Sequence, residues 1–404
     1  MTDIAEDFIM TDKYFRIKAA CYVSNIGGAV MGTLPPILFI TFRELYGISY
    51  TLLGTLVVIN FFTQLIVDLV FSFFSYKFNI PLAVKLMPAF SVAGLILYAL
   101  SPMIFQSNVY LGLALGTVLF SIAGGFGEVL ISPIVAAIPS KNPDREMSKL
   151  HSIFAWGCVG VAIFCTVFLL LVGGKYWQIL TAILTLIPLL SLILYSRAEF
   201  PELEKPERAS GIIDLFKQKA LWLCVLSIFF GGAAECTMSQ WCSSYIEKAL
   251  GIPKIFGDIF GVALFAFALG LGRSLYAKYG RNIEKMLFLG SIGATLCYGI
   301  AVFSNNAIVG LIACAFTGFC VSMLWPGSLI AVADRIPHGS VVMYAMMAAG
   351  GDLGASVAPQ LVGIASDAVG IRFGLLAGMI FPIFGIVVNF VLLRQRKRRD
   401  KSKF

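Results

Sequence analysis

Four carboxylates stand inside long apolar runs of this 404-residue chain: Asp68, Glu128, Glu235 and Asp352. An acid in a membrane interior costs several kcal/mol even on lenient insertion scales, so by default it marks a function. Glu128 lies in Gly124-Gly-Phe-Gly-Glu-Val-Leu-Ile-Ser-Pro133, and Glu235 in Gly231-Gly-Ala-Ala-Glu-Cys-Thr-Met-Ser-Gln-Trp241. Their flanking glycines let backbone or solute approach closely. A carboxyl taken out of water favours its protonated form, which is what a proton-coupling group requires. The competing reading is a protonated glutamate hydrogen-bonded between helices. Asn60, Gln64 and Asp68 recur at i, i+4 and i+8, one polar stripe along a helix. That stripe either lines a path or joins its helix to a neighbour. Asp352 follows Gly350-Gly351 and reads as a gating or interhelical group.

Aromatic and amide side chains stand close to these acids. Gln240 and Trp241 follow Glu235 by five and six residues, and Trp325 adjoins Pro326. Sugar C–H faces stack on rings while hydroxyls need polar partners. Gln240, Trp241 and Trp325 are therefore expected to shape a sugar-sized pocket, with Glu128 and Glu235 as polar anchors. Asn25, the one amide of the first apolar segment, is expected among the substrate-binding residues as well. Enzyme chemistry finds no footing: the sequence contains neither GxxxxGK[ST] nor HExxH. Gly173-Gly174-Lys175 is a loop, and nine scattered cysteines lack metal-ligand spacing and read as small buried hydrophobes. No cofactor or metal is expected, and any pumping must draw on an ion or solute gradient.

The elements that position these groups are apolar. Hydrophobic residues make up 59% of the chain and charged residues 13%, and mean hydropathy is +0.89. A soluble protein is near half apolar and a quarter charged. Twelve spans of about 20 residues need about 240 apolar-rich positions, roughly what 59% of 404 supplies. Apolar segments fall at 15–40, 50–76, 80–104, 108–138, 148–173, 176–195, 220–247, 255–277, 284–303, 306–335, 340–367 and 370–393. The expected organisation is an N-terminal tail 1–14, a six-helix bundle 15–195, a linker 196–219, a second bundle 220–393 and a basic tail 394–404.

With twelve passes, 25 of the 30 Lys and Arg, Arg273 among them, fall on the side of both termini and 5 on the other. The positive-inside bias then puts both termini in the cytoplasm, in a plasma or bacterial inner membrane. Net charge is +8, and seven basic residues crowd the final eleven. That placement suits an anionic lipid surface and gives no reason to expect a nucleic-acid partner. The halves echo each other: Gly27-Gly28 and Gly231-Gly232, like Gly47 and Gly251, are offset by 204 residues. Ser132-Pro133 and Trp325-Pro326 share an offset of 193, as do Gly157 and Gly350. These point to duplication of a six-helix unit, with a site near the midplane at the interface of the repeats.

The 6+6 pattern resembles the major facilitator superfamily. Its usual loop signature between helices 2 and 3, G-x-x-x-D-R-x-G-R-R, is largely absent. Ser75-Tyr76-Lys77-Phe78-Asn79-Ile80 is instead similar to the G-Y-K-x-G-I form of the fucose/galactose/glucose:proton symporter family. The second-half version, Lys278-Tyr279-Gly280-Arg281, keeps the basic and glycine positions but has Ala277 in place of the acid. Glu128 through Pro133 resembles that family's helix-4 motif L-E-T-x-x-N-P, with Ser132 in place of Asn. Gly232 through Glu235, then Trp241 and Tyr245, resembles its helix-7 pattern. The resemblance implies a monomeric alternating-access carrier of a sugar-like solute, coupled to protons, with Glu128 as the substrate- or proton-linked acid of the first half. Fucose-type members carry a helix-1 aspartate, and helix 1 here has only Asn25, so uniport stays open. A multidrug or metabolite exporter of the same superfamily, and a non-transporting membrane sensor, are the rival readings.

Overall fold

The structure, a computed structural model, describes residues 14–74, 77–139, 143–201, 215–280, 282–336 and 341–402. Most of the N-terminal tail and of the linker, together with Ser75, Tyr76 and Arg281, lie outside the described residues. The first six-helix unit comprises α1 (Phe15–Tyr46), α2 (Tyr50–Phe74), α3 (Ile80–Ile104), α4 (Val109–Ala137), α5 (Pro143–Val172) and α6 (Trp177–Leu184, continued by Leu186–Ser196). The second comprises α7 (Lys219–Lys248), α8 (Lys254–Phe256, Gly257–Ala263 and Leu264–Tyr279) and α9 (Ile283–Phe303). It is completed by α10 (Ala307–Val321, then Leu324–Arg335), α11 (Val341–Val369) and α12 (Ile371–Ser402). Eleven of these are long and apolar enough to cross a membrane, and α11 runs for 29 residues. Twelve alternating passes leave the start of α1 and the end of α12 at one end of the bundle, the terminal face; the opposite end is the far face.

The chain starts its helices by the same device in both halves. Asn79 and Asn108 open α3 and α4 by accepting the backbone N–H of Leu82 and Leu111. Asn282 and Asn306 do the same for α9 and α10, bonding Lys285 and the pair Ile308 and Val309. Each side-chain oxygen satisfies a helix N–H that has no partner within the helix. Helix ends repeat too. Gly47 after α1 and Gly251 after α7 hold φ of 66° and 67°, a left-handed conformation that glycine adopts without strain. Three residues before each glycine stand Glu44 and Lys248, equivalent positions of the repeat, and they pair at 2.6 Å across the two halves.

Some spans differ from the sequence expectation. α10 breaks at Ser322–Met323, because Pro326 has no N–H to return to the carbonyl four residues earlier. α8 carries a π-helical stretch over Gly257–Ala263. α12 does not stop at 393 but continues to Ser402, and Arg396 on this extension pairs with Glu284 at 2.5 Å. The same buried Glu284 takes Arg335 at 2.9 Å, so one carboxylate ties α9, α10 and α12 together at the terminal face.

Small residues set the closest helix approaches, as lipid-embedded packing requires. Gly94 and Gly116 bring α3 and α4 into backbone contact. On α11, a Cβ added at Gly354 would collide with the carbonyl oxygen of Phe229 on α7. Gly354→Ala is therefore expected to force α7 from α11 and destabilise the fold by about 1–3 kcal/mol. Thermal unfolding in detergent reads this out, and an unchanged midpoint would contradict the close α7–α11 packing.

Candidate functional site

Asp68, Glu128 and Asp352 converge where the two halves meet. One oxygen from each lies within 4.8 Å of the others. Asp68 on α2 and Glu128 on α4 come from the first half, and Asp352 on α11 from the second. Asp68 is within hydrogen-bond range of both partners. It is 3% exposed and Asp352 1%, whereas the Glu128 side chain is exposed. One oxygen of each aspartate, Oδ1 of Asp68 and Oδ2 of Asp352, is buried with no hydrogen-bond partner. Three negative charges this close and largely out of water repel too strongly to coexist, so protons or a bound cation must offset them. The donors are hard oxygens, but three of them supply half or fewer of the 6–8 ligands that calcium takes.

The polar stripe on α2 divides into two tasks. Asn60 accepts from Ser121 of α4 at 2.7 Å and from Gln64 at 3.2 Å. On α4, Gly124 leaves room for the Gln64 side chain and Gly125 for that of Val67. This part joins α2 to α4, while Asp68, one turn further on, belongs to the acid cluster. Toward the far face, Met31, Pro35 and Phe39 of α1, with Asn60, Phe120 and Gln240, line a small, partly open cavity.

Glu235 stands apart from the three acids. Its Oε1 accepts a hydrogen bond from Nη2 of Arg273 on α8 at 3.2 Å. Arg273, counted from sequence among the terminal-face charges, instead points into the bundle. The break in α10 explains its position: Pro326 leaves the Ser322 carbonyl without its helical donor, and Nε of Arg273 fills the vacancy at 3.1 Å. Cys236, next to Glu235, lies within charge–charge range of Glu235, Asp352, Glu128 and Arg273, so the two groups of charges flank one region.

The other expected pocket residues are distributed differently. Trp241 is fully buried, donates to the Pro359 carbonyl at 3.0 Å and packs on Phe39 and Tyr50. Trp325 is half-buried against Gly232 and Gly351. Asn25 donates to the Leu150 carbonyl at 2.8 Å, joining α1 to α5. Gln240 alone of this set lines the cavity.

A polar lock seals the far face. Asp367 of α11 accepts the N–H groups of Tyr50 and Thr51 at 2.9 and 2.7 Å, so a residue of the second half caps α2 of the first. Arg43 lies 3.6 Å from the same carboxylate and rests on the Tyr50 ring, 3.6 Å from its centroid. Lys254 bridges the Ile37 carbonyl at 2.6 Å and Asp258 at 3.2 Å. Asp367→Asn keeps the shape but loses the charge at a helix N-terminus, worth about 0.3–1 kcal/mol or somewhat more when partly buried. Spin-label distances between the far-face ends of α1 and α7 are expected to gain an open population. No change would mean that Asp367 does not hold the lock.

The Major Facilitator Superfamily is matched over residues 20–341 and again over 278–403, and the chain belongs to that superfamily. Its helices superpose on a bacterial homologue of the human lysosomal transporter Spinster with TM-score 0.75 at 13% identity, covering 94% of this chain and 96% of that one. The nucleoside transporter NupG gives 0.73 at 11% identity over 94% and 98%. The E. coli fucose:proton symporter FucP gives 0.61 at 18% identity over 95% and 99%. At these identities the likeness establishes the fold. No protein of curated function matches the chain in sequence. This is a multi-pass membrane protein of a transporter superfamily.

Proposed function

We propose that the chain is a secondary active carrier that moves a small polar, sugar-like solute by alternating access, coupled to protons through Asp68, Glu128 and Asp352. The observation that carries this reading is a carboxylate cluster built from both halves. Two halves that share three acids feel the cluster's charge directly. Loaded with protons, the cluster lets α2 and α4 close on α11; unloaded, it pushes them apart. The fucose:proton symporter FucP has the same fold, and the helix-4 and helix-7 motifs around Glu128 and Glu235 point the same way. The charge bias puts both termini in the cytoplasm. The locked far face then faces outward, and water reaches Glu128 from the cytoplasm. The working unit is a monomer of two bundles, 15–195 and 220–393, joined by the linker 196–219.

The test is uptake into vesicles carrying purified protein and an imposed proton gradient, with labelled fucose, xylose, glucose and uridine as probes. Concentrative uptake that a protonophore abolishes is expected. No concentrative uptake of any probe, with protection of cells against cationic dyes, would transfer the reading to an exporter.

A further inference from the structure

We infer that the solute carries an anionic group, a carboxylate on a sugar-sized body, which docks on Arg273. This rests on the carrier reading above and narrows its substrate class. A guanidinium offers five N–H donors and no acceptor. Arg273 spends one on the Ser322 carbonyl through Nε and one on Glu235 through Nη2, and the rest have no partner among the described residues. Its side chain is 41% exposed, on a helix that packs against α5 of the other half, where Cys158 lies within charge–charge range. A solute carboxylate can therefore meet it as a two-pronged fork, the strongest form of such pairing.

Glu235 behaves as a stand-in for that ligand. It offers one oxygen at 3.2 Å, and its Oε2 is buried with no hydrogen-bond partner. An internal carboxylate held by one contact, with its second oxygen unsatisfied, is readily displaced by a solute that makes two. The acid cluster explains why protons must come first. Glu128 and Asp352 share the neighbourhood of Cys236 with Arg273, so an anion entering while they are charged is repelled. Proton loading removes the repulsion and admits the anion. Coupling follows from electrostatics alone.

The test titrates the purified full chain at pH 6 with D-glucuronate, D-glucose and D-glucosamine, and with the three corresponding galacto compounds, reading thermal shift. Uronates are expected to bind roughly 10- to 100-fold more tightly than the neutral sugars, the range of a charge-assisted hydrogen bond, and the amines weakest. Glu235→Gln removes the competitor and is expected to tighten uronate binding and to raise the uronate-to-glucose affinity ratio. Arg273→Gln alone strands Glu235, so the double variant R273Q/E235Q, neutral at both positions, is the informative one; it is expected to lose the uronate preference. Neutral sugars binding as tightly as uronates, or a preference that survives in the double variant, would overturn the inference and leave the carrier reading intact. No binding by any of the six would overturn both.

Discussion

Glu128→Gln is expected to abolish concentrative uptake while the protein still inserts and folds. An imposed gradient of about 1.7 pH units supplies about 2.3 kcal/mol per proton, enough for roughly 50-fold accumulation at one proton per solute, neutral or anionic. The variant is expected to show accumulation near unity. Glutamine keeps the volume and hydrogen-bonding reach of glutamate and removes only its ionisation. Among the three acids Glu128 is the one with an exposed side chain, so it is where protons enter and leave the Asp68–Asp352 pair. Wild-type accumulation in the variant would remove the cluster from the coupling path. Uptake lost together with expression would instead show a folding role.

Glu284→Gln is expected to produce the largest loss of stability. Glu284 is fully buried and holds Arg335, itself 4% exposed, and Arg396. Removing its charge leaves a buried guanidinium uncompensated, at a cost of about 3–5 kcal/mol. Arg335 cannot swing into water, because it also donates to the carbonyls of Ala331 at 3.0 Å and Leu392 at 3.1 Å. The unfolding midpoint in detergent is expected to fall by on the order of 5 °C or more. A fall of one degree or less would mean that the arginines find other neutralisation.

Much of the fold is legible in the sequence because lipid makes hydropathy an almost direct record of helix position. The spacing of Gly47 and Gly251 foretells a repeated unit, and both prove to be left-handed helix ends. The apolar run from 370 foretells α12, but not its continuation to Ser402. That extension bears Arg396, whose partner Glu284 is 112 residues away in sequence. The site is legible at the level of residue types. Asp68, Glu128 and Asp352 stand out as acids in apolar runs, yet nothing local says that α11 brings Asp352 to α2. Arg273 escapes notice for the opposite reason. Near the terminal-face end of its span it counts as a loop charge, and only the broken α10 turns it inward to Ser322. Trp241 has the composition of a sugar platform and the location of a seal, because its indole N–H is taken by Pro359. A partner distant in the chain leaves no trace in local spacing.

The central claim is that solute and proton cross together through one shared cluster. Its most direct test is the pH of a lightly buffered suspension of vesicles, with no imposed gradient, on adding a solute that the binding screen identifies. External pH is expected to rise as solute enters, to collapse with a protonophore, and to stay flat with Glu128→Gln. Solute entering the wild-type vesicles without any change in pH would contradict the account.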